Sequence, residues 1–280
     1  MRRRFHQIDV FGSGRFAGNP VAVVVDGEGL SREEMVSFAS WTNLSEATFL
    51  LPARAKTADY RVRIFSLTRE RPFAGHPTLG SCQAWLSSGG RPKRNDQIIQ
   101  ECGAGLVPVR HTGTGLAFAA PPITHSSSVD DQSLEQLASI LRIHRDEIVD
   151  SRWASEWIAV LLRDADAVLA IEPDFGGFRG GVSLNVGIVG PYAEGSECAF
   201  EVRALFSDGR GELREDPASG GLNASLAQWL FATGRAKSPY VVSQGTGVGR
   251  KSRLHMSMDA DGKIWVGGST TICISGEVEI

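Results

Sequence analysis

Three short stretches of this sequence carry side chains suited to moving a proton. In residues 43–51 (NLSEATFLL) the carboxylate of Glu46 stands at the entrance to an apolar run. Burial there would raise its pKa toward the range of a general base, whereas a plain strand-end glutamate would point at solvent. In residues 74–78 (AGHPT) His76 lies between a glycine and a proline, ahead of a segment with helical spacing, and reads either as a hydrogen-bonded turn residue or as part of a site. In residues 216–221 (DPASGG) Asp216 opens a second helical segment and suits a helix cap. The last two stretches place small residues and exposed backbone N–H groups at helix starts, where the partial positive charge of the helix favours an anion.

The elements that position these groups come in two copies. Shifting the sequence by 144 residues aligns Ala74 with Ala218, Ser81 with Ser225, Trp85 with Trp229, Leu86 with Leu230 and Gln100 with Gln244, among 10 identities in the 32 positions from 74 to 105. Upstream, RIFS at 63–66 returns as RALFS at 203–207. Two similar lobes follow, 1–123 and 124–280, joined near Pro121 and Pro122, with the last strand able to return to the first lobe. If the copies are related by a pseudo-twofold axis, their two helix starts can face one cleft and hold a small carboxylate or amino acid.

Each copy has a β-rich stretch (58–65; 198–206), a Gly/Pro turn and then a helix, expected over 78–88 and 222–232, with glycine after the last apolar position. Further helices are expected at 31–39, opened by the capping-box pattern Ser31 to Glu34, and at 133–141. Strands are expected at 21–25, 48–51, 106–109, 240–243, 254–258 and 263–266, with a short one at 272–274. The fold class is α+β: two pseudo-symmetric lobes, each a mixed or antiparallel sheet around one principal helix.

Composition narrows the function. With 42% hydrophobic and 22% charged residues and a net charge of -3, the chain reads as an ordinary globular protein with no nucleic-acid or membrane partner. The basic run from Arg2 to Arg4 reads as a solvated tail, and Phe5 to Phe11 is too polar for a signal peptide, so a cytoplasmic location is expected. The cysteines 82, 102, 198 and 273 form no C-x-x-C pair, and no histidine spacing suggests a metal. The glycines of 12–18 (GSGRFAG) are misplaced for a dinucleotide fingerprint and lead into a strand rather than a helix, so no cofactor is expected.

Taken together, the segments GNPVAVV (18–24), SEATF (45–49), PFAGHPTLG (72–80), EDPASG (215–220), Gln244 with Gly245, Gly249 with Arg250, and VGG (266–268) resemble the PhzF-like family of phenazine biosynthesis. That family is related in fold to diaminopimelate epimerase and proline racemase. The resemblance implies a diaminopimelate-epimerase-like fold, a homodimer, and a cofactor-independent isomerase. In the namesake reaction trans-2,3-dihydro-3-hydroxyanthranilate is isomerised by moving a proton along a conjugated carbon framework. It also implies Glu46 as the acid/base, with His76 and Asp216 flanking the substrate. Backbone amides near Gly75 and Gly220, together with Ser219 and Gly221, would receive the carboxylate. The epimerases of this fold use one cysteine from each lobe's helix start, and none of the four cysteines here stands there. The family's E-D-P-A-T-G-S ends in Gly221, so a serine hydroxyl that contacts substrate is missing. That departure keeps open a catalytically silent carboxylate-binding protein, and an epimerase that uses carboxylate and histidine on opposite faces is a further alternative.

Overall fold

The computed structural model describes residues 1–122, 125–174, 184–207 and 213–280. The chain divides into two compact units, Met1–Pro121 with Trp265–Ile280, and Pro122–Ile264.

The first unit runs β1 (Arg2–Val10), β2 (Asn19–Val24), α1 (Arg32–Thr42), β3 (Glu46–Leu51), β4 (Tyr60–Ser66), β5 (Glu70–Arg71), α2 (Gly75–Ser87), β6 (Ile98–Cys102), β7 (Gly105–Thr112) and β8 (Gly115–Ala119). β1 pairs antiparallel with β2, β2 parallel with β3, and β3 antiparallel with β4. β4 then takes β5 antiparallel and β6 parallel, and β7 and β8 continue antiparallel. This mixed sheet surrounds α2, which packs against β1, β2, β3, β4 and β8. That is why α2 is buried on nearly every side, with Leu79, Cys82 and Ala84 joined inside by His76, Thr78 and Ser81. α1 covers the other face, its Met35, Phe38 and Ala39 packed on Phe49 and Phe65. The expected capping box at its start is present, with Ser31 and Glu34 bonded reciprocally.

The second unit repeats the order: β9 (Ser126–Ser127), α3 (Asp131–Leu141), β10 (Asp150–Ala154), β11 (Trp157–Leu161), α4 (Ala165–Leu169), β12 (Asn185–Pro191), β13 (Phe200–Ser207), β14 (Leu213–Glu215), α5 (Gly220–Ala232), β15 (Tyr240–Gln244) and β16 (Ser252–Met258). β10 is antiparallel to β11, β11 parallel to β12, and β12 antiparallel to β13. β13 takes β14 antiparallel and β15 parallel, and β16 closes antiparallel on β15. From β10 to β16 this matches β1 to β7 pairing for pairing. The 144-residue repeat is therefore a repeat of topology, with α2 and α5 as equivalent helices.

Three expectations are revised. The second unit ends at Ile264, short of the 124–280 expected, because the last strand returns to the first lobe as the sequence reading allowed: β17 (Ile264–Gly268) pairs with β8, and β18 (Thr270–Glu279) pairs with β1. The short strand expected at 272–274 is all of β18, because its partner extends the full length from Arg2 to Val10. Arg2 to Arg4 are not a tail but the start of β1. Arg3 is only 8% exposed there, its guanidinium donating to the carbonyls of Asp26 and Glu28, while Arg4 pairs with Asp26. The glycines of 12–18 form a tight turn around a buried carboxylate: Asp9 accepts the Gly18 N–H at 3.0 Å, and a Cβ on Gly18 would run into the Val10 carbonyl.

Candidate active site

Glu46 and His76, 30 residues apart in sequence, are brought together in the first unit. Glu46 opens β3, opposite Ser66 of β4, and its side chain is 16% exposed. His76 is the second residue of α2, with its side chain 5% exposed. Glu46 Oε2 lies 3.5 Å from His76 Nε2, a separation longer than an ordinary hydrogen bond, and among the described residues Nε2 has no hydrogen-bond partner. Complete burial pushes the His76 pKa down to about 3, so the ring is neutral at physiological pH.

A neutral ring has one N–H, and its location is set by a neighbour. Asn19, fully buried at the start of β2, has its side-chain nitrogen 3.3 Å from His76 Nδ1, while its oxygen accepts from the Ser45 hydroxyl. The asparagine therefore donates to Nδ1, and the ring proton falls on Nε2, toward Glu46. This buried N–H without an acceptor is what a substrate oxygen would satisfy.

The backbone adds to this. Ala74, the N-cap of α2, offers no side-chain cap, so the N–H groups of Gly75 and His76 lead the helix without a capping oxygen. The start of the helix is braced from below: Tyr60 O–H donates to Gln100 Oε1, Gln100 Nε2 donates to Thr78 Oγ1, and Thr78 Oγ1 donates to the Ala74 carbonyl.

The second unit builds its copy around Gln244. Its side chain accepts from the Ser219 N–H at 3.2 Å and from Asn223 Nδ2 at 2.8 Å, and donates to the Asp216 carbonyl at 3.0 Å. Asp216 itself lies between β14 and α5, its N–H given to the Ala204 carbonyl. Ser219, not Asp216, is the N-cap of α5, its hydroxyl accepting from the Leu222 N–H. Gly220 is buried at the first position of the helix, and a Cβ placed on Gly221 would meet nothing within 4 Å. Glu215 is bound edge-on by Arg203, at 2.7 and 3.1 Å, with both side chains almost fully buried, so it anchors the turn.

Sequence reasoning missed Asn19, Asn223 and the glutamines as site-builders. Gln100 and Gln244 carried a signal, since they coincide in the repeat; Asn19 had none beyond its place in GNPVAVV. Among the described residues the cysteines are free thiols, and Cys82, inside α2, is pushed up to about 12 by burial. No three His, Cys, Asp or Glu side chains among the described residues cluster as metal ligands.

Comparison with known proteins shows the family of the chain. The chain is 34% identical over 292 residues to Antisense-enhancing sequence 1 of Schizosaccharomyces pombe, covering 98% of this chain and 97% of that protein. It is 31% identical over 268 residues to trans-2,3-dihydro-3-hydroxyanthranilate isomerase of Pseudomonas aeruginosa, covering 93% and 92%. The crystal structure of a PhzF-family phenazine biosynthesis protein from Bacillus anthracis superposes over 100% of both chains with a TM-score of 0.82 at 20% identity, a likeness of fold. A family model for phenazine biosynthesis-like proteins matches residues 8–276, a span that takes in both helix starts and the Glu46–His76 pair, and this chain belongs to that PhzC–PhzF family.

Proposed function

We propose that the chain is a cofactor-independent isomerase that moves a proton within a small cyclic or amino/hydroxy carboxylate. The observation that carries this reading is the Glu46 carboxylate 3.5 Å from the unpartnered Nε2 of a buried, neutral His76, beside an uncapped helix start. Relatives named as isomerases, one of them acting on trans-2,3-dihydro-3-hydroxyanthranilate, support the reaction class.

In the proposed step Glu46 takes the proton from the carbon that bears the hydroxyl or amino group. The electron pair left behind shifts along the conjugated framework, and the same carboxyl returns the proton to another carbon, so substrate and product are isomers. The N–H groups of Gly75 and His76 and the Nε2–H of His76 stabilise the negative charge that develops. Asp216 is assigned to substrate positioning and proton movement. Ser219, Gly220 and Gly221 are assigned to the substrate carboxylate, with Ser219 acting through its hydroxyl hydrogen: its oxygen caps α5 and its backbone N–H is given to Gln244. The protein is further read as a cytoplasmic homodimer: free thiols support a reducing compartment, and the dimer follows family expectation. No helix among the described residues is long and apolar enough to cross a membrane.

The test is solvent exchange. With a turned-over substrate, deuterium from D2O enters the product, and Glu46→Gln, with an unchanged circular dichroism spectrum, lowers both turnover and exchange by about 10²–10⁴-fold. Exchange retained in that variant removes Glu46 from the role.

One observation favours a second reading, a carboxylate-binding protein without turnover. Gly221 supplies no hydroxyl where the family carries serine, and the space beside it is open. A ligand that binds tightly but neither exchanges nor turns over, across a panel of hydroxy and amino acids, selects that reading.

A further inference from the structure

On β4, Tyr60, Val62 and Ile64 turn into the core, so the strand's two-residue period sends Arg61 and Arg63 to the face covered by α1. Arg61 stands opposite Leu51 of β3. Beside it is a cavity of 410 Å³, floored by Leu30, Met35 and Leu51 and walled by Arg54, Arg61 and Arg63, with Glu28 as its one acidic lining residue. The three arginines are unequal. Arg63 is neutralised by Glu70, with two bonds of 2.7 Å. Among the described residues the side chains of Arg54 and Arg61 make no ion pair, and the Nε of Arg61 is buried without a hydrogen-bond partner. Glu101, the nearby acid outside the cavity, has an oxygen committed to the backbone N–H groups of Arg54 and Ala55.

A guanidinium that is partly withdrawn from water and unpaired at the wall of a cavity favours an anion there. We propose that this cavity binds a small organic anion, its carboxylate or phosphate held by Arg54 and Arg61 and its apolar part resting on Leu30, Met35 and Leu51. The bidentate geometry of guanidinium suits either oxyanion, and the volume lies within the usual range for small-ligand sites. The electrostatics agree: burial, Arg54 and Arg63 together hold the Arg61 pKa below its ordinary value, against the pull of Glu101 and Glu28. An anion reverses that balance. The site is separate from Glu46: the two lie at opposite ends of β3, five residues and roughly 16 Å apart at the rise of a strand.

The experiment titrates the whole protein with inorganic phosphate and, separately, with benzoate, at constant ionic strength set by chloride. Calorimetry gives the affinity, and the arginine Nε–H signals in NMR give the place. The expected result is saturable binding of at least one probe with a shift of the Arg61 Nε–H. Binding should weaken about 10-fold or more in Arg61→Gln and several-fold in Arg54→Gln, and should stay unchanged in Glu46→Gln. Phosphate alone binding identifies a phosphorylated ligand, and benzoate binding more tightly identifies an apolar carboxylate. Arg54 is exposed, so its variant tests the site without disturbing the fold. Absence of saturable binding of both probes, or affinity unchanged in both arginine variants, overturns the proposal, and neither outcome bears on Glu46.

Discussion

The side-chain nitrogen of Asn19 lies 3.3 Å from Nδ1 of His76, and this contact decides which end of the imidazole faces Glu46 as a donor. Asn19 is thus a positioning residue for a histidine 57 positions further along the chain.

Replacing that amide by a carboxylate should invert the arrangement. In Asn19→Asp the ring proton moves to Nδ1, a donor facing the new carboxylate, and Nε2 is left as an acceptor opposite Glu46. Activity is expected to fall about 10²-fold. The ¹⁵N shifts of His76 should exchange their protonated and unprotonated signatures, which loss of packing alone would not produce. Unchanged ring shifts would contradict the tautomer assigned here.

Burial of neutral His76 carries a pH signature. The folded ring titrates near 3, the unfolded one near 6.5. Between these values the unfolded chain binds the additional proton, so folding stability falls as pH drops from 6.5 toward 3, with a limiting slope of about 1.4 kcal/mol per pH unit from this group. Above 6.5 the contribution is flat. Urea unfolding of His76→Gln at pH 4.5 and 7.5 should show a smaller loss than the wild type; parallel losses would mean that the ring is not held neutral.

The two units share a cross-strand clasp with different surroundings. Arg63 and Glu70 join β4 to β5 with side chains 25% and 33% exposed, whereas Arg203 and Glu215 join β13 to β14 at 5% and 2%. Arg203 also donates to the Ile171 carbonyl. Glu215→Ala, which strands a buried guanidinium, is expected to cost about 3–5 kcal/mol. Glu70→Ala should cost about 1 kcal/mol or less, and high salt should mask it. Chemical denaturation in low and high salt separates the two.

Gly221 and Gly18 should respond oppositely to a side chain. A Cβ on Gly221 meets open space, so Gly221→Ser is expected to leave stability within about 0.5 kcal/mol while altering KM among candidate carboxylates. A Cβ on Gly18 collides with the Val10 carbonyl and the Gly12 nitrogen, and Gly18→Ala should cost about 1–3 kcal/mol. Thermal melts of the two variants check both statements.

Local pattern made the helices legible. The capping box at Ser31 and the apolar spacing around Trp85 and Trp229 are short-range signals, and α1, α2 and α5 lie where they point, within a few residues at each end. The repeat made the shared topology legible as well. β1 was hidden because its strand character comes from its neighbours: three arginines look like a solvated tail until β18, more than 260 residues away, supplies the second row of hydrogen bonds. The segments of Glu46 and His76 left each open between a bland and a chemical reading, and the family resemblance singled them out; Asn19 had no such signal of its own. Its role depends on β2 lying beside the start of α2, a relationship no spacing in the sequence encodes.

The return of β17 and β18 to the first unit also sets an order of assembly during synthesis. β8 and β1 must wait for partners that leave the ribosome after all of Pro122–Ile264 has been made. The second unit is continuous in sequence and can close as it emerges, while the half that begins first is completed last. Until β18 is made, the unfilled side of β1, with Ile8 and Val10 in it, is an open template for strand pairing, and the finished fold closes it last.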